Sequence, residues 1–359
     1  MNVRNIPFND LPLLPPKDTA WRDIDVYEKL VQARTSLAEL KGRLPIIPNA
    51  LMLINTLVMQ EAKDSSTIEN IFTTNDKLYK AFISQSSHTD SATKEVLRYR
   101  EAMWGGFHQL KEHKKLTKEL LIYIFQTITQ RNEGIRTKQV WIGNNQNQII
   151  YTPPEIGKYL DEKITNWLEF ANTHHPNVDP LVKMAILHYQ FEAIHPFTDG
   201  NGRTGRILNI LYLCYENLLD IPILYHSKFI IKHKNDYYRL LREVTENQNW
   251  KEWLCFILDS IKETSIDTLN KVNQIYDAYL KTIELVKTNA KYIYSHELIE
   301  IIFSQPYCKI SILENKQIAN RKTASKYLRK LEELGILDSE QIGKEIIYKN
   351  KELYRILSI

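Results

Sequence analysis

The segment HPFTDGNGRTGR, residues 195–206, restricts the backbone and the chemistry of this chain more than any other part of it. Residues 200–202 can adopt positive φ at little steric cost, so successive N–H groups can turn toward one anion. A helix is predicted to begin at Arg203, where its N–H groups and dipole favour phosphate. Arg203 and Arg206 lie three positions apart on its first turn. The segment therefore predicts an anion-binding turn with a histidine at its edge, although an ordinary turn with solvated arginines also fits.

Two apolar helices are predicted on either side of this turn. Asp179 and Pro180 provide an N-cap and a proline at the first helical position. The apolar face that follows is spaced as in a helix and consists of Leu181, Met184, His188, Phe191 and His195. His188 is predicted to be a buried core histidine rather than a second base. The following helix, 203–218, is also apolar, so the turn lies between two core helices.

Composition indicates a soluble, mainly helical protein. The chain has 359 residues, enough for two or three domains, with 43% hydrophobic and 25% charged residues. No apolar run approaches the roughly 20 residues that span a bilayer, and the N-terminus lacks the apolar core of a signal peptide. Three dispersed cysteines favour reduced thiols and a cytoplasmic location without membrane contact. A net charge of +4 does not by itself imply nucleic acid.

The remainder of the chain also reads as helical, with one exception. An extended, proline-containing arm covers residues 1–25. Helices are predicted at 26–41, at 48–59, from an N-cap within Asp64-Ser65-Ser66, at 91–113 and at 116–131. The exception is a β-rich pair of segments, 139–143 and 148–151, around an Asn-rich turn, which predicts a hairpin.

Eight residue types in residues 195–206 match the signature His-x-Phe-x-Asp/Glu-Gly-Asn-Gly-Arg-x-x-Arg. On these residues the chain resembles the Fic family, which is known mainly for transferring AMP from ATP to hydroxyl side chains of proteins. The resemblance extends over nearly the whole chain and implies a Fic-type helical bundle with a small β-hairpin flap. In that family the flap pairs with the target segment by strand addition. The residues implied here are Ile142, Gly143, Ile149 and Ile150.

The resemblance also implies a role for each site residue. A neutral imidazole can accept a proton at physiological pH, so His195 is expected to be the catalytic base. Asp199 would hold Mg²⁺, which prefers one or two carboxylates together with substrate phosphates. The ATP-binding residues are expected to be Glu69, Gly200, Asn201, Gly202, Arg203, Gly205, Arg206, Asn235 and Tyr238. Asn235 and Tyr238 would contact adenine and ribose, although aromatic residues at helical spacing commonly fill a core.

A second motif, SSTIEN at 65–70, matches the family's inhibitory pattern Ser/Thr-x-x-x-Glu-Gly/Asn. The resemblance implies that Ser65 and Glu69 belong to an inhibitory helix and that the Glu69 carboxylate pairs with Arg206, where it competes with the γ-phosphate. Ser66 and Glu69 also fit a capping box, which needs no nucleotide. In some relatives the same glutamate supports removal of AMP, and that alternative stays open.

The C-terminal part resembles a winged helix-turn-helix domain. Helices are predicted at 295–304, 311–318 and 322–334, followed by a hairpin at 339–348 with Gly343 at its turn. Between residues 309 and 330 there are seven Lys and Arg against one acidic residue, an excess that suits phosphates. Arg321, Lys322, Lys326 and Arg329 would be exposed. Contact with DNA, contact with protein, and pairing of two copies of the chain all stay open.

The predicted organisation has four parts. They are an N-terminal arm and helical region with the inhibitory motif at 1–110, a Fic catalytic core at 111–260, a connecting helix at 261–290, and a winged-helix domain at 291–359. The expected function is an autoinhibited protein adenylyltransferase that uses ATP and Mg²⁺ to modify Ser, Thr or Tyr of target proteins, including itself. The alternatives are removal of AMP or another group transfer at the same site, and a DNA-binding regulator that uses the core as a nucleotide sensor.

Overall fold

The computed structural model describes residues 5–17, 19–46, 50–84, 89–143, 146, 148–342 and 345–358. Within these residues it is mainly helical, as predicted. The N-terminal helices are α1 Ile24–Arg43, α2 Ala50–Ile68, α3 Asn75–Ser84, α4 Ser91–His113 and α5 Lys118–Thr129. Next come the strands β1 Ile142–Gly143 and β2 Ile149–Tyr151 and the helices α6 Lys158–Asn172, α7 Pro180–Ile194, α8 Asn201–Tyr215, α9 Ser227–Lys232, α10 Lys234–Asn247 and α11 Trp250–Asn289.

The C-terminal part contains the predicted order of helices and hairpin, with one additional strand and one additional helix. Its elements are α12 His296–Ser304, β3 Tyr307–Lys309, α13 Ile310–Asn315, α14 Arg321–Glu333, β4 Leu337–Ile342, β5 Glu345–Asn350 and α15 Lys351–Ser358. The three strands form an antiparallel sheet in the order β3-β5-β4. The predicted turn residue Gly343 lies outside the described residues.

Helix α7 lies at the centre of the core, because nearly all of its residues are buried. It begins as the sequence predicts: the Asp179 side chain accepts a hydrogen bond from the Leu181 N–H, and Pro180 occupies the first helical position. His188 is buried, and the Tyr237 hydroxyl lies 3.0 Å from its Nε2, so it is the core histidine that was expected. Helix α8 packs against α7, and the turn between them carries the candidate site.

Two helix boundaries differ from the sequence prediction. Helix α8 begins at Asn201 rather than Arg203, because Gly200, in the left-handed region at φ 68°, already serves as its N-cap. Helix α11 is continuous from Trp250, so the charged helix expected from residue 261 begins within the core region. Its first part is anchored by the buried Trp253, whose indole N–H donates to the Ala185 carbonyl at 2.8 Å.

The predicted helix start at Asp64-Ser65-Ser66 is wrong: these residues lie inside α2, close to its C-terminal end. The helix ends where Asn70 adopts a left-handed φ of 62° and the Ile71 N–H bonds back to the Ser66 carbonyl at 3.0 Å. The capping-box alternative for Ser66 and Glu69 therefore fails, because Glu69 follows a helix end instead of opening a helix. Serine is tolerated in this turn because the fully buried Ser65 has a tertiary hydrogen-bond partner, Arg206.

A buried polar cluster fixes the position of α2. Glu61 is buried and accepts hydrogen bonds from the Ser227 N–H at 2.8 Å, the Ser227 hydroxyl, and the Tyr99 hydroxyl at 3.1 Å. Burial raises the pKa of Glu61 to about 7. These partners lie on α4 and at the start of α9, so α2 is held between both elements and its end is directed toward α8.

The C-terminal part packs against α2 and α3. The Tyr307 hydroxyl on β3 donates to Asp76 on α3, and Lys80 of α3 forms an ion pair of 2.7 Å with Glu340 on β4. The segment that precedes α3 contains Glu69, so the C-terminal part contacts the helices on both sides of that residue: α12 and α15 contact α2, and the sheet contacts α3. Among the described residues, none of the helices is both long and apolar enough to cross a membrane.

Candidate active site

The turn between α7 and α8 is held by three local features. His195 is the C-cap of α7 in a left-handed conformation, φ 50°, and its N–H donates to the Phe191 carbonyl at 3.0 Å. The Asn201 side chain clamps Phe197: its Oδ1 accepts from the Phe197 N–H and its Nδ2 donates to the Phe197 carbonyl, both at 2.9 Å. The buried Phe197 ring stacks on Phe125 at 4.4 Å. The turn is therefore a rigid element.

His195 has the protonation state that a general base requires. Its Nδ1 lies 3.3 Å from the Glu192 carbonyl oxygen, which can only accept, so Nδ1 carries the proton and Nε2 is the basic nitrogen. Burial lowers the pKa of His195 to about 4, outweighing the opposite effect of the hydrogen bond to the Glu192 backbone. The imidazole is therefore neutral at physiological pH and able to accept a proton.

The Glu69 carboxylate occupies the N-terminal end of α8, where an anion is favoured. A Cβ added to Gly202 would clash with Glu69 Oε1 and would come within 2.9 Å of Arg206 Nη1. Gly202 thus permits the close approach of a carboxylate to the first turn of α8. The sequence predicted phosphate binding at this place, and the family resemblance implied a Glu69–Arg206 pair that competes with it; in the structure the Glu69 carboxylate lies there.

Arg206 is the main partner of this carboxylate. Its Nη2 donates to Glu69 Oε1 at 2.7 Å and to the Ser65 carbonyl at 3.0 Å, and its Nε donates to the Ser65 hydroxyl at 2.8 Å. Burial raises the pKa of Glu69, but the charge of Arg206 and its hydrogen bond outweigh burial, and the net pKa lies below the usual value of 4.5. Burial lowers the pKa of Arg206, but the Glu69 charge leads the opposing effects, and the net pKa is raised. Both groups are charged at neutral pH.

Arg203 is held by a different carboxylate. Its Nη1 donates to Glu95 of α4, its Nη2 lies 3.6 Å from Asp199 Oδ1, and its Nε is buried without a hydrogen-bond partner in the described structure. Burial lowers the pKa of Arg203 to about 10. The guanidinium therefore retains donors for a second anion.

Asp199 is the exposed carboxylate of the turn, with 52% of its side chain accessible. Its Oδ1 accepts from the Gly200 N–H at 2.6 Å, and its Oδ2 lies 3.4 Å from Arg131. The described residues contain no cluster of three or more His, Cys, Asp or Glu side chains that could hold a metal alone. A single accessible carboxylate fits Mg²⁺ bound jointly with phosphates, since Mg²⁺ commonly keeps one or two carboxylates and phosphate ligands.

Two residues predicted to bind ATP have other roles in this structure. Asn201 uses both ends of its amide on the Phe197 backbone, so it shapes the turn instead of presenting its side chain to phosphate. Gly205 faces α7, where an added Cβ would lie 2.7 Å from Glu192 Oε1 and 3.2 Å from Phe191 Cδ1. Its lack of a side chain allows α7 and α8 to pack closely, and Gly200 and Gly202 are the glycines at the anion-binding end.

The two residues predicted to contact adenine and ribose lie on the first turns of α10 and are exposed. Although Tyr238 is 43% accessible, the partial burial of its side chain and then the Glu69 charge raise the pKa of its hydroxyl, which therefore lies within electrostatic range of the anion site. Asn235 is one turn earlier. Lys234 donates to the Ile68 carbonyl at 2.6 Å and so binds the C-terminal end of α2 next to Glu69.

The predicted flap is present as the antiparallel pair β1–β2, with Ile142 opposite Tyr151 and Gly143 opposite Ile149. Ile149 and Ile150 are half-buried, and Trp141 beside them is exposed. The Tyr151 hydroxyl donates to the Ala193 carbonyl at 2.8 Å, which fastens the flap to the last turn of α7. The flap is thus fixed close to His195.

The predicted DNA-contact residues Arg321, Lys322 and Lys326 lie on α14, in the C-terminal part, and are exposed.

Sequence reasoning missed three charged residues around the site: Arg136, Glu95 and Glu192. Arg136 bonds the backbone of His195, Glu95 bonds Arg203, and the half-buried Glu192 lies beside Gly205 with its Oε1 atom buried. Burial raises the pKa of Glu192 to about 7. Glu192 could have been recognised from the sequence as a candidate site residue, because it lies one turn before His195 and its neighbours on the same helix are apolar. Arg136 and Glu95 are distant in sequence, and no spacing pattern connects them to the turn.

The fold and this site define a class of helical proteins with a histidine–glycine–arginine turn at a helix N-terminus. Three family models match the chain. The model described as "Fic/DOC family" matches residues 114–213, "Fic/DOC family N-terminal" matches 27–108, and "Protein adenylyltransferase SoFic-like, C-terminal domain" matches 279–353. The chain belongs to the Fic/DOC family.

Curated relatives match over part of the chain. Protein adenylyltransferase fic-1 of Caenorhabditis elegans is 42% identical over 76 residues, 21% of this chain and 13% of that protein. A probable protein adenylyltransferase of Aquifex aeolicus is 41% identical over 78 residues, 22% of this chain and 23% of that protein. The matches thus span less than a quarter of each of these relatives.

Solved structures extend the similarity of the fold. A Fic family protein from Desulfovibrio desulfuricans G20 superimposes with a TM-score of 0.55 at 18% identity, over 90% of this chain and 96% of that one. Fic-1 (residues 134–508) of C. elegans superimposes with a TM-score of 0.54 at 18% identity, over 69% of this chain and 74% of that one. At this identity the neighbours show the fold alone.

Proposed function

We propose that the protein is an autoinhibited protein adenylyltransferase, which transfers AMP from ATP to Ser, Thr or Tyr hydroxyls of target proteins, including itself. The observation that carries the proposal is the placement of a neutral His195 beside the N-terminus of α8, where Arg206 holds a carboxylate at 2.7 Å. The names of the curated relatives, which are protein adenylyltransferases, support the same reaction.

In the proposed reaction, His195 Nε2 accepts the proton of the target hydroxyl. The hydroxyl oxygen then forms a bond to the α-phosphorus, while the bond from the α-phosphorus to the bridging oxygen breaks and pyrophosphate leaves with that electron pair. Arg203, Arg206 and the N–H groups at the start of α8 neutralise the charge on the phosphates, which is the main contribution that a protein makes to such transfers. Mg²⁺ held by Asp199 would supply further charge neutralisation on the phosphates.

Autoinhibition follows in this proposal from competition for one guanidinium. Glu69 and a γ-phosphate cannot both occupy the end of α8, because the carboxylate already lies against Gly202 and Arg206. The position of Glu69 is set by α2, whose last carbonyl, that of Ile68, accepts a hydrogen bond from Lys234. Nucleotide could still bind with its phosphates misplaced, so inhibition would act on transfer more than on binding.

The target would be recognised through the β1–β2 flap. Strand addition at Ile142–Gly143 or Ile149–Tyr151 would place a hydroxyl side chain near His195, since Tyr151 ties the flap to Ala193. Recognition through backbone hydrogen bonds would tolerate varied sequences. Such recognition would accept different target proteins, provided that each carries a hydroxyl side chain in an extended segment.

The test is intact-protein and peptide mass spectrometry after incubation with ATP and Mg²⁺. The three proteins compared are wild type, Glu69→Gly and Glu69→Gly/His195→Ala. We expect addition of one AMP to rise strongly in Glu69→Gly and to vanish in the double variant. An unmodified Glu69→Gly protein that also modifies no protein in an added lysate would contradict the proposal.

Removal of AMP at the same site is the alternative reaction, because the ionised Glu69 could orient a water molecule toward a phosphate. It predicts that Glu69→Gly loses the ability to release AMP from a modified protein while it gains transfer. Incubating the AMP-modified Glu69→Gly protein with wild type, and measuring the modified fraction over time, distinguishes the two reactions.

A second candidate function is DNA binding through the C-terminal part, which would act beside the transferase or use the core as a nucleotide sensor. Arg321, Lys322 and Lys326 are exposed, and no ion pair found within the described residues includes them, whereas Lys330 is paired with Glu333 at 2.9 Å. Arg321 and Lys322 are the first two residues of the 13-residue helix α14, whose N-terminus favours phosphate, and Lys326 lies beyond its first turn.

Fluorescence anisotropy with duplex DNA over a salt series tests this second candidate. Affinity should fall linearly with the logarithm of salt concentration, and Arg321→Ala/Lys322→Ala should reduce the slope by about two. Glu297→Ala, a charge change elsewhere in the C-terminal part, serves as the control and should leave the slope unchanged. His195→Ala should bind DNA like wild type, and a salt-independent signal would contradict the candidate.

A further inference from the structure

Arg136 lies between α5 and β1, and its guanidinium is buried, with 3% of the residue exposed. Its Nε donates to the His195 carbonyl at 2.9 Å, its Nη2 donates to the Pro154 carbonyl, and its Nη1 lies 3.5 Å from the Gln139 side-chain oxygen. The Arg136 backbone N–H also donates to the Pro196 carbonyl at 2.9 Å. One side chain and its own backbone thus contact both the turn and the flap.

The partners of this cation are neutral. Among the ion pairs found in the described residues, none includes Arg136, so its charge is buried without a carboxylate. Burying an unpaired charge is costly, and burial lowers the pKa of Arg136 to about 10. A neutral donor would satisfy one carbonyl without that cost. The arrangement therefore indicates that the positive charge of the Arg136 guanidinium, its several N–H donors in one plane, or both have a role at this site.

The two carbonyls belong to the two parts that must meet in the reaction. Pro154 follows β2, the second strand of the flap, and Gln139, which precedes β1, also donates to the Pro153 carbonyl at 2.9 Å. His195 is the base and adopts the left-handed region, an unfavourable conformation for a residue with a side chain. A fork-shaped donor fixes the distance between these backbones.

We propose that Arg136 is a positioning residue that couples the flap to the base: it holds the His195 carbonyl, and hence the imidazole, in the orientation set by the base of the flap. This inference rests on the proposed adenylyl transfer for its catalytic meaning. A target strand that orders the flap would thereby also order His195, so that proton acceptance depends on target engagement.

The charge of Arg136 has a second effect on the base. Burial is the main cause that lowers the pKa of His195, and the nearby Arg136 guanidinium lowers it further. Removing the guanidinium charge therefore raises the pKa of His195. Replacing arginine by lysine keeps the charge but loses the fork, because an ammonium group is a point donor without the planar geometry that spans two carbonyls.

The test compares Arg136→Met, Arg136→Lys and, as a matched control, Arg22→Met at an exposed arginine. The first measurement is an NMR titration of the His195 ring in the full-length protein, assigned with His195→Gln, and it requires no catalysis. We expect the midpoint in Arg136→Met to rise by about one pH unit. Arg136→Lys should titrate close to wild type, and Arg22→Met should equal wild type.

The second measurement is steady-state AMP transfer in the Glu69→Gly background. Both Arg136 variants should lose on the order of 10-fold or more in kcat, with KM for ATP within about twofold, because the misplacement affects the base and not the phosphate site. An unchanged His195 midpoint together with unchanged kcat in a folded Arg136→Met protein would overturn the proposal. If Arg136→Met does not fold, the kcat loss and wild-type midpoint of Arg136→Lys decide the question.

The two measurements separate this inference from the function on which it rests. An inactive Glu69→Gly parent would contradict adenylyl transfer, and the titration would still show whether Arg136 controls His195. An active parent whose Arg136 variants match it in kcat and in titration would leave the proposed function intact and reject the coupling.

Discussion

Glu69 and Arg206 form an ion pair of 2.7 Å between residues 137 positions apart, and the guanidinium is almost fully buried. Glu69 directly follows α2, which precedes the signature by more than a hundred residues, yet its carboxylate lies on the first turn of α8. Because Arg206 also bonds the hydroxyl and the carbonyl of Ser65, the pair joins α2 to α8 through three hydrogen bonds. Its strength therefore bears on folding and, under the proposed function, on where the γ-phosphate can lie.

The pair predicts a pH-dependent contribution to stability. The folded-state pKa of Glu69 lies below its usual value of 4.5, so its contribution is fully present above pH 4.5 and is lost as the pH falls through the folded-state pKa. The difference in the free energy of unfolding between wild type and Glu69→Gln, measured in urea, should be constant between about pH 6 and 8 and should shrink below about pH 4.5. Glu28→Gln, at an exposed carboxylate on α1, should show no such pattern. A difference that grows on acidification would contradict the prediction.

Glu95 is expected to restrain Arg203 from binding phosphate. Its carboxylate accepts a hydrogen bond from the Arg203 guanidinium, whose Nε has no partner within the described structure. In the Glu69→Gly background, Glu95→Gln should tighten ADP binding by about three- to ten-fold, because the cation loses its competing anion. Isothermal titration calorimetry measures this, with Glu101→Gln on the exposed side of α4 as control. Weaker binding would mean that Glu95 instead holds Arg203 in its binding orientation.

Local rules were sufficient for the elements that position the site. Asp179 and Pro180 fixed the start of α7, and the hairpin around residues 144–147 was recognisable from β-rich segments in a helical chain. The error at Ser65 arose because aspartate and serine are common N-cap residues and so usually mark the start of a helix. The residue that makes serine acceptable near the helix end, Arg206, lies 141 positions away and becomes a neighbour only on folding.

The roles within the signature were harder to assign than its location. The sequence shows that residue 205 is a glycine, but not that it faces Glu192. It shows an amide side chain at residue 201, but not that both ends of this amide form hydrogen bonds with the Phe197 backbone. Arg136 bonds backbone carbonyls, which every residue possesses, so no side-chain pattern marks its partners. Such roles depend on which atoms the tertiary fold brings together.

Two glycines provide a matched pair of substitutions. A Cβ at Gly205 would lie 2.7 Å from Glu192 Oε1, whereas a Cβ at Gly42, on α1, would meet nothing within 4 Å. Gly205→Ala should lower the free energy of unfolding by about 1–3 kcal/mol through overpacking. Gly42→Ala should raise it by about 0.5–1 kcal/mol, since alanine is the better helix former. Urea unfolding measures both, and effects of the same sign would contradict the packing role of Gly205.

Asn201 offers the sharpest test of the turn. Its Nδ2 donates to the buried Phe197 carbonyl, and Asn201→Asp replaces this donor by an oxygen that faces another oxygen. The variant should lose about 3 kcal/mol of stability at pH 8, because a buried charge and an unsatisfied carbonyl are both costly. The loss should be smaller at pH 5. A carboxyl whose pKa is raised by folding binds its proton more readily in the folded state, and once protonated it donates to Phe197 again. Unfolding in urea at both pH values measures the difference, and Asn235→Asp, at an exposed position on α10, should show no comparable change. Equal losses at pH 5 and pH 8 would mean that the turn does not depend on the donor at this position.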